Sequence, residues 1–410
     1  MNLAEMSLGA LAIAVIVSCV TQLNVGVLSL AMAWIIGVYF AGLPVNEVMA
    51  GFPTQLFLTL TGVMLLFSIA HGNGTLDKVA HYAVRLCRGN RGLIPIMFFV
   101  LSAAIGSMGP GTIATAALIG PMAMATASRA GIPLFLMAIM AGNGANAGSL
   151  SPFAPTGIIV NNLMSRIGLG GHEAQAYLYI LLAHAIVATG GYLAFGGLRL
   201  FAGKWKGEPA EASQAFDGRN WITLGAIAML IFSVIFFKVN VGMGAFLAAV
   251  VLILLRCGSD GEAIKRMPWG VIVMVCGVTV LVSLVEKTRG LDLFVSLLAR
   301  FATPATVTGL VALITGVISV YSSTSSVVLP AFLPMVPGLV ERLAGADAMS
   351  IAMSMTVGAH LVDVSPLSTT GALCIASAVG ADSKALFNKM LAWGLSMSVV
   401  GALLSWAIFR

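Results

Sequence analysis

Apolar runs of about 17 to 25 residues, the length that crosses a bilayer, recur along the whole chain and are separated by short polar turns. The runs are unbroken rather than alternating, so they predict α-helices and argue against the short alternating strands of a closed barrel. In the first half they fall near 7–22, 26–43, 53–72, 93–128, 132–164 and 175–198. In the second they fall near 220–237, 241–256, 268–286, 302–340, 346–377 and 385–409. Two runs are interrupted where interruption is costly. "AGNGANAGSLSPFAPTGIIVNN" (141–162) and "GAHLVDVSPLSTTGALCIAS" (358–377) place Gly, Pro, Ser, Thr and Asn inside otherwise apolar helices. Two others, 93–128 and 302–340, carry polar tips at their middles, "SMGPGT" (107–112) and "SVYSSTSS" (319–326), and read as re-entrant hairpins.

The chain also matches itself at a shift of about 214 residues. Pro53–Asp77 falls on Pro268–Asp292, with Gly62 on Gly277, and "ATAALIGPM" falls on "VVLPAFLPM". Gly144-Ala145 falls on Gly358-Ala359, Ser151-Pro152 on Ser365-Pro366, and Thr156-Gly157 on Thr370-Gly371. Four matches in register predict two structural repeats, 1–203 and 220–410, joined by the hydrophilic linker 204–219. Each repeat would hold five spans, one of them broken, and one hairpin. Five crossings are an odd number, so the second repeat enters the membrane from the opposite side, as in the inverted repeats of many secondary transporters. A cytoplasmic linker puts fourteen of the 21 Lys and Arg residues inside, which predicts extracytoplasmic termini.

Composition agrees with a polytopic all-α membrane protein: 59% of residues are hydrophobic and 9% charged, against roughly 25% charged in soluble domains. The formal net charge of +6 is spread through loops and reads as topology rather than nucleic-acid binding. The five cysteines have neither pairing nor metal-ligand spacing and are expected as reduced thiols. The first apolar run has no basic segment before it and is expected to be a retained helix rather than a cleaved signal. No nucleophile–base pair, His/Asp metal cluster or phosphate-binding GxxxxGK[ST] loop is present, so an enzyme or an ATP-driven pump is disfavoured.

Irregular backbone inside a bilayer persists only where protein or a water-filled cavity covers it. Each interruption ends two half-helices in mid-membrane, with amide N–H groups facing one way and carbonyls the other. The N–H ends suit an anion and the carbonyl ends a cation such as Na⁺. Small polar residues also serve close helix packing, but four such runs paired by a repeat favour a site. The hydroxyls of Thr112, Thr324 and Ser325 are candidates for a carboxylate, and the repeat-matched Ser151, Thr156, Ser365 and Thr370 join them as substrate candidates. Asp363, a carboxylate within an apolar segment, is the leading cation candidate, because a charge there costs about 2.5–3.5 kcal/mol on insertion scales. Asn146, opposite His360 in the repeat, is a candidate for both ligands. His71 and His184 are expected to be packing residues.

"GANAGSLSPFAPTGIIVNN" resembles the broken helix of the divalent-anion/sodium symporters, and "GTIATAALIGP" their hairpin tip. Length and organisation are closest to the MatC-type dicarboxylate carriers, which transport malonate or C4-dicarboxylates. The resemblance puts the family's carboxylate-binding triplet on Gly111, Thr112 and Ile113 and on Thr324, Ser325 and Ser326; the first has lost the usual Ser and Asn. It puts the sodium loops on Asn143–Ser149, including Ser149, and on Gly358–Asp363, including His360. It also implies a homodimer with scaffold helices and an elevator motion. The expectation is a Na⁺-coupled importer of small di- or hydroxycarboxylates in a bacterial inner membrane. H⁺ is the alternative coupling ion, and no further cofactor is expected. No Lys or Arg lies in either tip or either broken segment, which leaves room for a hydroxylated monocarboxylate such as quinate. An inorganic-ion or Na⁺/H⁺ exchanger and a channel are the rival readings.

Overall fold

The structure, a computed structural model, describes residues 2–20, 23–85, 89–203, 215–378 and 383–409; most of the linker therefore lies outside the described residues. Every regular element among them is helical. Six helices are long and apolar enough to cross a membrane, and eight shorter apolar helices accompany them. The protein is a multi-pass membrane protein.

The three scaffold helices of the first half are Leu3–Val20, Val25–Trp34 (continued by a wider turn, Ile35–Phe40) and Thr54–Gly72. Those of the second are Gly218–Phe237, Val241–Leu254 and Trp269–Lys287. The hairpin of the first half is Leu93–Met108 and Gly111–Ala130, and its broken helix is Leu134–Ala147 and Pro155–Arg166. The second hairpin runs from Val307–Tyr321 into Thr324–Val328 and on to Arg342, and its broken helix is Ala348–Leu361 and Thr369–Ala376. Glu173–Ala194 and Ser383–Ile408 close the two halves. The order of elements is thus the same in both.

Several short helices at the ends of the spans were not visible in the hydropathy. Thr75–Arg85 and Gly290–Leu298 follow the third scaffold helix of each half, and Asp260–Arg266 precedes the third scaffold helix of the second half. At 7 to 11 residues they are too short to span a bilayer. Helix starts are cut by residues that cannot continue a helix backwards. Pro53, Pro133 and Pro268 stand at N-caps, and Asn240 and Asp347 accept from backbone N–H groups of the first turn. Buried hydroxyls such as those of Thr279, Ser354 and Thr356 donate to the carbonyl four residues back, so they need no water.

Scaffold helices pack across the halves: Thr54–Gly72 against Val241–Leu254, and Trp269–Lys287 against Val25–Trp34. Both crossings pivot on glycine. A Cβ at Gly62 would overlap Gly242 O, and one at Gly277 would overlap Gly26 O, so backbones meet where a side chain would separate them. Gly62 and Gly277 are the pair that the self-match put in register. A polar knot ties the second half to the first. The buried Asn220 donates to Asn73 O (3.2 Å) and Thr75 Oγ1 (3.0 Å) and accepts from Lys78 Nζ (2.6 Å). Asn73 in turn donates to Thr223 Oγ1 (2.8 Å) and Cys257 O (3.1 Å). Cys257, Cys276 and Cys374 are buried and free.

Candidate functional site

At 1.5 Å per residue, Leu134–Ala147 covers about 21 Å and Pro155–Arg166 about 18 Å. Each falls short of a hydrocarbon core of about 30 Å, so the break between them lies within the membrane. The break is ordered by its own backbone. Ser149 N donates to Asn146 O (3.0 Å), and Gly157 N reaches back to Ser149 O (2.9 Å). In the second break Asp363 N donates to His360 O (3.0 Å) and Ser365 N to Val362 O (2.9 Å). Ser368 then caps Thr369–Ala376, accepting from Gly371 N (3.2 Å) while donating to Asp363 O (2.6 Å).

Each break is pressed onto the hairpin of its own half. A Cβ at Gly144 would overlap Phe99 O, and one at Gly358 would overlap Ala312 O. Gly358, a predicted cation residue, is thus required by close packing whatever else it does.

Both hairpin tips, the second break and the restart of the first broken helix at Pro155 border one cavity of about 760 Å³, within the usual range for small-molecule sites. From the first half it is lined by Gly111, Thr112 and Thr156; from the second by Thr324, Ser325, His360, Asp363 and Thr370. Leu60, Met64 and Phe67 form an apolar wall on one side, and Val271, Ile272 and Met274 another. Four helical segments begin at this cavity: Gly111–Ala130, Pro155–Arg166, Thr324–Val328 and Thr369–Ala376. Two come from each half, and each brings the positive end of its dipole, with Gly157 N, Ser326 N and Gly371 N already donating to Ser149 O, Ser323 Oγ and Ser368 Oγ. The arrangement can hold an anion without a fixed positive charge.

Within the cavity Thr324 Oγ1 lies 2.7 Å from Asp363 Oδ1, 3.1 Å from Ala359 O and beside Ser319 Oγ. Thr324 has one hydrogen to give. If Asp363 is ionised, Thr324 donates to it; if Asp363 is protonated, it donates to Thr324, which is then free to donate to Ala359 O. The site accommodates both protonation states of Asp363 by reversing one chain of hydrogen bonds. His360 donates from Nδ1 to Thr356 O (2.8 Å), with its ring at the cavity.

The remaining predicted residues do not line the cavity, and they divide into two groups. Asn143 is fully used: it donates to Ile139 O (2.9 Å) and accepts from His184 Nδ1 (2.9 Å). Ser151 donates to Ser107 O (2.6 Å), fastening the first break to the first hairpin. Ser326 is buried, and its N–H donates to Ser323 Oγ (3.3 Å). Ser365 is buried, accepting from Leu367 N (3.3 Å). Asn146 and Ser149 behave differently. Both are fully buried, and neither the amide of Asn146 nor Ser149 Oγ has a hydrogen-bond partner among the described residues. Oxygens left bare at the carbonyl end of a half-helix suit a hard cation.

Sequence reasoning left Ser68, Ser368 and Arg266 unmarked, took His71 for a packing residue, and marked the tip that holds Ser322 and Ser323 without singling them out; all six line the cavity. Of the three unmarked residues only Ser368 had a local signal: a serine three residues before Gly371 at the restart of a broken helix, where an N-cap is expected. Among the described residues no group of three or more His, Cys, Asp or Glu side chains could hold a metal ion.

Residues 1–149 match the family model described as the dicarboxylate carrier protein MatC N-terminus. Over that stretch the chain is similar to the MatC carriers, which bears out the resemblance read from its length and organisation. Two uncharacterized transporters of Mycobacterium tuberculosis, from strains CDC 1551 and H37Rv, are each 25% identical over 279 residues, covering 63% of this chain and 60% of the relative. The matched region thus spans about 60% of the length of these curated relatives. The YdaH transporter of Alcanivorax borkumensis superposes over 88% of this chain and 86% of its own, with a TM-score of 0.61 and 16% identity. That likeness is one of fold. These similar proteins are transporters or carriers, none an enzyme.

Proposed function

We propose that the protein is a secondary transporter that moves small organic acid anions, di- or hydroxycarboxylates, across a bacterial inner membrane, coupled to a cation. One observation carries the reading: four helix starts, two from each half, converge on a single mid-membrane cavity rimmed by hydroxyls. A carboxylate placed there meets N–H dipoles and the hydroxyls of Thr112, Thr156, Thr324, Ser325 and Thr370. Na⁺ is the coupling ion that the unpartnered oxygens of Asn146 and Ser149 favour. In the second half Asp363 takes the corresponding position and can carry either a cation or a proton, so the two half-sites are not equivalent. The paired elements move together, as inverted repeats in an elevator, with the linker cytoplasmic and both termini outside. Two copies form the working dimer, and lipid covers the exposed apolar faces.

The test is uptake of labelled malonate, succinate and quinate into proteoliposomes under imposed Na⁺ or H⁺ gradients. Saturable accumulation that collapses with the gradient supports the reading. Flux that neither saturates nor follows a gradient points to a channel, and no carboxylate flux of any kind removes the proposal. A hydroxylated monocarboxylate is the second reading, favoured by a wall rich in hydroxyls and free of basic residues at its inner end.

A further inference from the structure

The cavity has an inner end without basic residues and a mouth with one. Among the described residues Arg266 is the only Lys or Arg that lines it. On the side where Asn73 meets Asn220, next to the linker, the lining includes Leu23, His71, Arg266 and Gly270, all exposed, and this side is here the mouth. Ile113, Ala114, Ala117, Leu367 and Thr369 are exposed lining residues of the tips and the second break. Arg266 is the last residue of the short helix Asp260–Arg266, whose final turn is held by Trp269 Nε1 donating to Ile264 O (2.9 Å). Its guanidinium folds over the end of Thr54–Gly72: a Cβ at Gly72 would overlap Nη1, so the lack of one makes the room. The carbonyl end of that helix favours a cation there.

The charge is not spent on an ion pair. Glu262, on the same short helix, pairs with Lys265 (3.6 Å). No carboxylate among the described residues lies within salt-bridge distance of Arg266. A lone guanidinium on the rim of a cleft with low-dielectric walls concentrates its field into that cleft. It also offers a flat fork that matches a carboxylate in two hydrogen bonds. By the 215-residue offset that aligns Pro53 with Pro268, the counterpart of Arg266 is Gly51, which has no charge to offer.

We propose that Arg266, seated on Gly72 at the cavity mouth, forms a peripheral anion site that captures a carboxylate substrate on the linker side before it reaches the hydroxyl-lined inner end. The proposal rests on the transport reading above. It adds a binding step on one face only, and it places the fixed positive charge at the mouth, where solvent lets the anion leave again, rather than in mid-membrane.

The test compares wild type with Arg266→Gln, Arg266→Lys, Gly72→Ala and Lys265→Gln in proteoliposomes, with labelled malonate as the probe, at low and high ionic strength. At low ionic strength Arg266→Gln is expected to raise the apparent KM by about fivefold, the effect of one partly exposed charge pair. Arg266→Lys keeps most of the effect. Gly72→Ala, which displaces the guanidinium without removing it, shifts KM the same way as the Gln variant. Lys265→Gln removes an equal charge one residue away and leaves KM unchanged. High salt brings wild type towards Arg266→Gln, because screening reaches an exposed site. An unchanged KM in Arg266→Gln, an equal shift in Lys265→Gln, or a gap indifferent to salt overturns the proposal.

Malonate-induced thermal stabilisation of the same purified proteins separates this failure from failure of the transport reading. If wild type takes up no carboxylate but malonate stabilises it, and that shift is lost in Arg266→Gln and kept in Lys265→Gln, the anion site stands alone. Equal shifts in all three, including none, overturn it.

Discussion

Replacing Asp363 with Asn tests the least conventional part of the site. The substitution keeps the shape of the side chain, and Asn Oδ1 can still accept from Thr324 Oγ1 across the 2.7 Å now seen. What disappears is the charge and the ability to take up a proton. A hydrogen bond to a charged group contributes about 1.5–3 kcal/mol and a neutral one about 0.5–1.5. The Thr324 contact is made with or without a cation, but on the same scale an anionic ligand exchanged for a neutral one loosens the hold on a cation by about 1–2 kcal/mol. One to two kcal/mol is a factor of about 5–30 in an equilibrium constant. Fold should survive, because the backbone bond from Asp363 N to His360 O and the Ser368 contact to Asp363 O do not involve the carboxylate. The assay is initial uptake of malonate as a function of Na⁺ at fixed pH, and of pH at fixed Na⁺. If Na⁺ couples through this residue, the half-saturating Na⁺ concentration rises by at least about fivefold and pH dependence changes little. If a proton does, the pH dependence flattens and the Na⁺ curve keeps its place. A variant with both curves at wild type would mean that Asp363 is a structural partner of Thr324 and nothing more.

Thr112→Ala, Thr324→Ala and Ser325→Ala should each weaken carboxylate binding by about 0.5–1.5 kcal/mol per neutral hydrogen bond lost, or up to about 3 where the bond is to the carboxylate. Unchanged affinity in all three, at normal expression, would leave the tips as packing elements. Gly358→Ala should destabilise the purified protein by about 1–3 kcal/mol by overpacking against Ala312. Gly190→Ala, in open space within Glu173–Ala194, should be neutral or stabilising by helix propensity, and equal thermal shifts in the two would contradict the packing argument. Asp217 caps Gly218–Phe237, and the N–H of Asn220 that it accepts holds its carboxyl below the usual range. Its contribution is present above the ordinary carboxylate pKa and lost as pH falls through the lowered folded value. Asp217→Asn should therefore reduce the loss of thermal stability in acid, and an identical acid profile would count against the cap. Ser213→Cys, on the stretch of linker outside the described residues, should resist a membrane-impermeant thiol reagent in intact cells; labelling there, with none near position 2, would reverse the orientation.

The lengths of the helices, the positions of the two breaks and two hairpin tips, and the equivalence of Gly62 with Gly277 and Gly144 with Gly358 were all legible in the sequence. Each depends on nearby residues: an apolar run must reach across a bilayer, a helix stops where Gly and Pro cluster, and a backbone crossing tolerates nothing larger than glycine. Roles that depend on partners were not legible. Asn143 and Asn146 stand three residues apart on one helix and looked alike. Only the fold reveals that His184, far along the chain, saturates Asn143 while Asn146 and Ser149 keep bare polar atoms. Ser151 and Ser365 carried the repeat as strongly as Thr156 and Thr370, yet the serines turn to neighbouring backbone and the threonines to the cavity. Thr324 and Asp363 meet across 39 residues of sequence. Arg266 lies outside every motif and joins the cavity because its short helix ends against Gly72. Hydrophobic length and helix-breaking act along the chain and can be read there, whereas a polar group's role is set by whichever atoms lie within about 3 Å of it, and those only tertiary packing supplies.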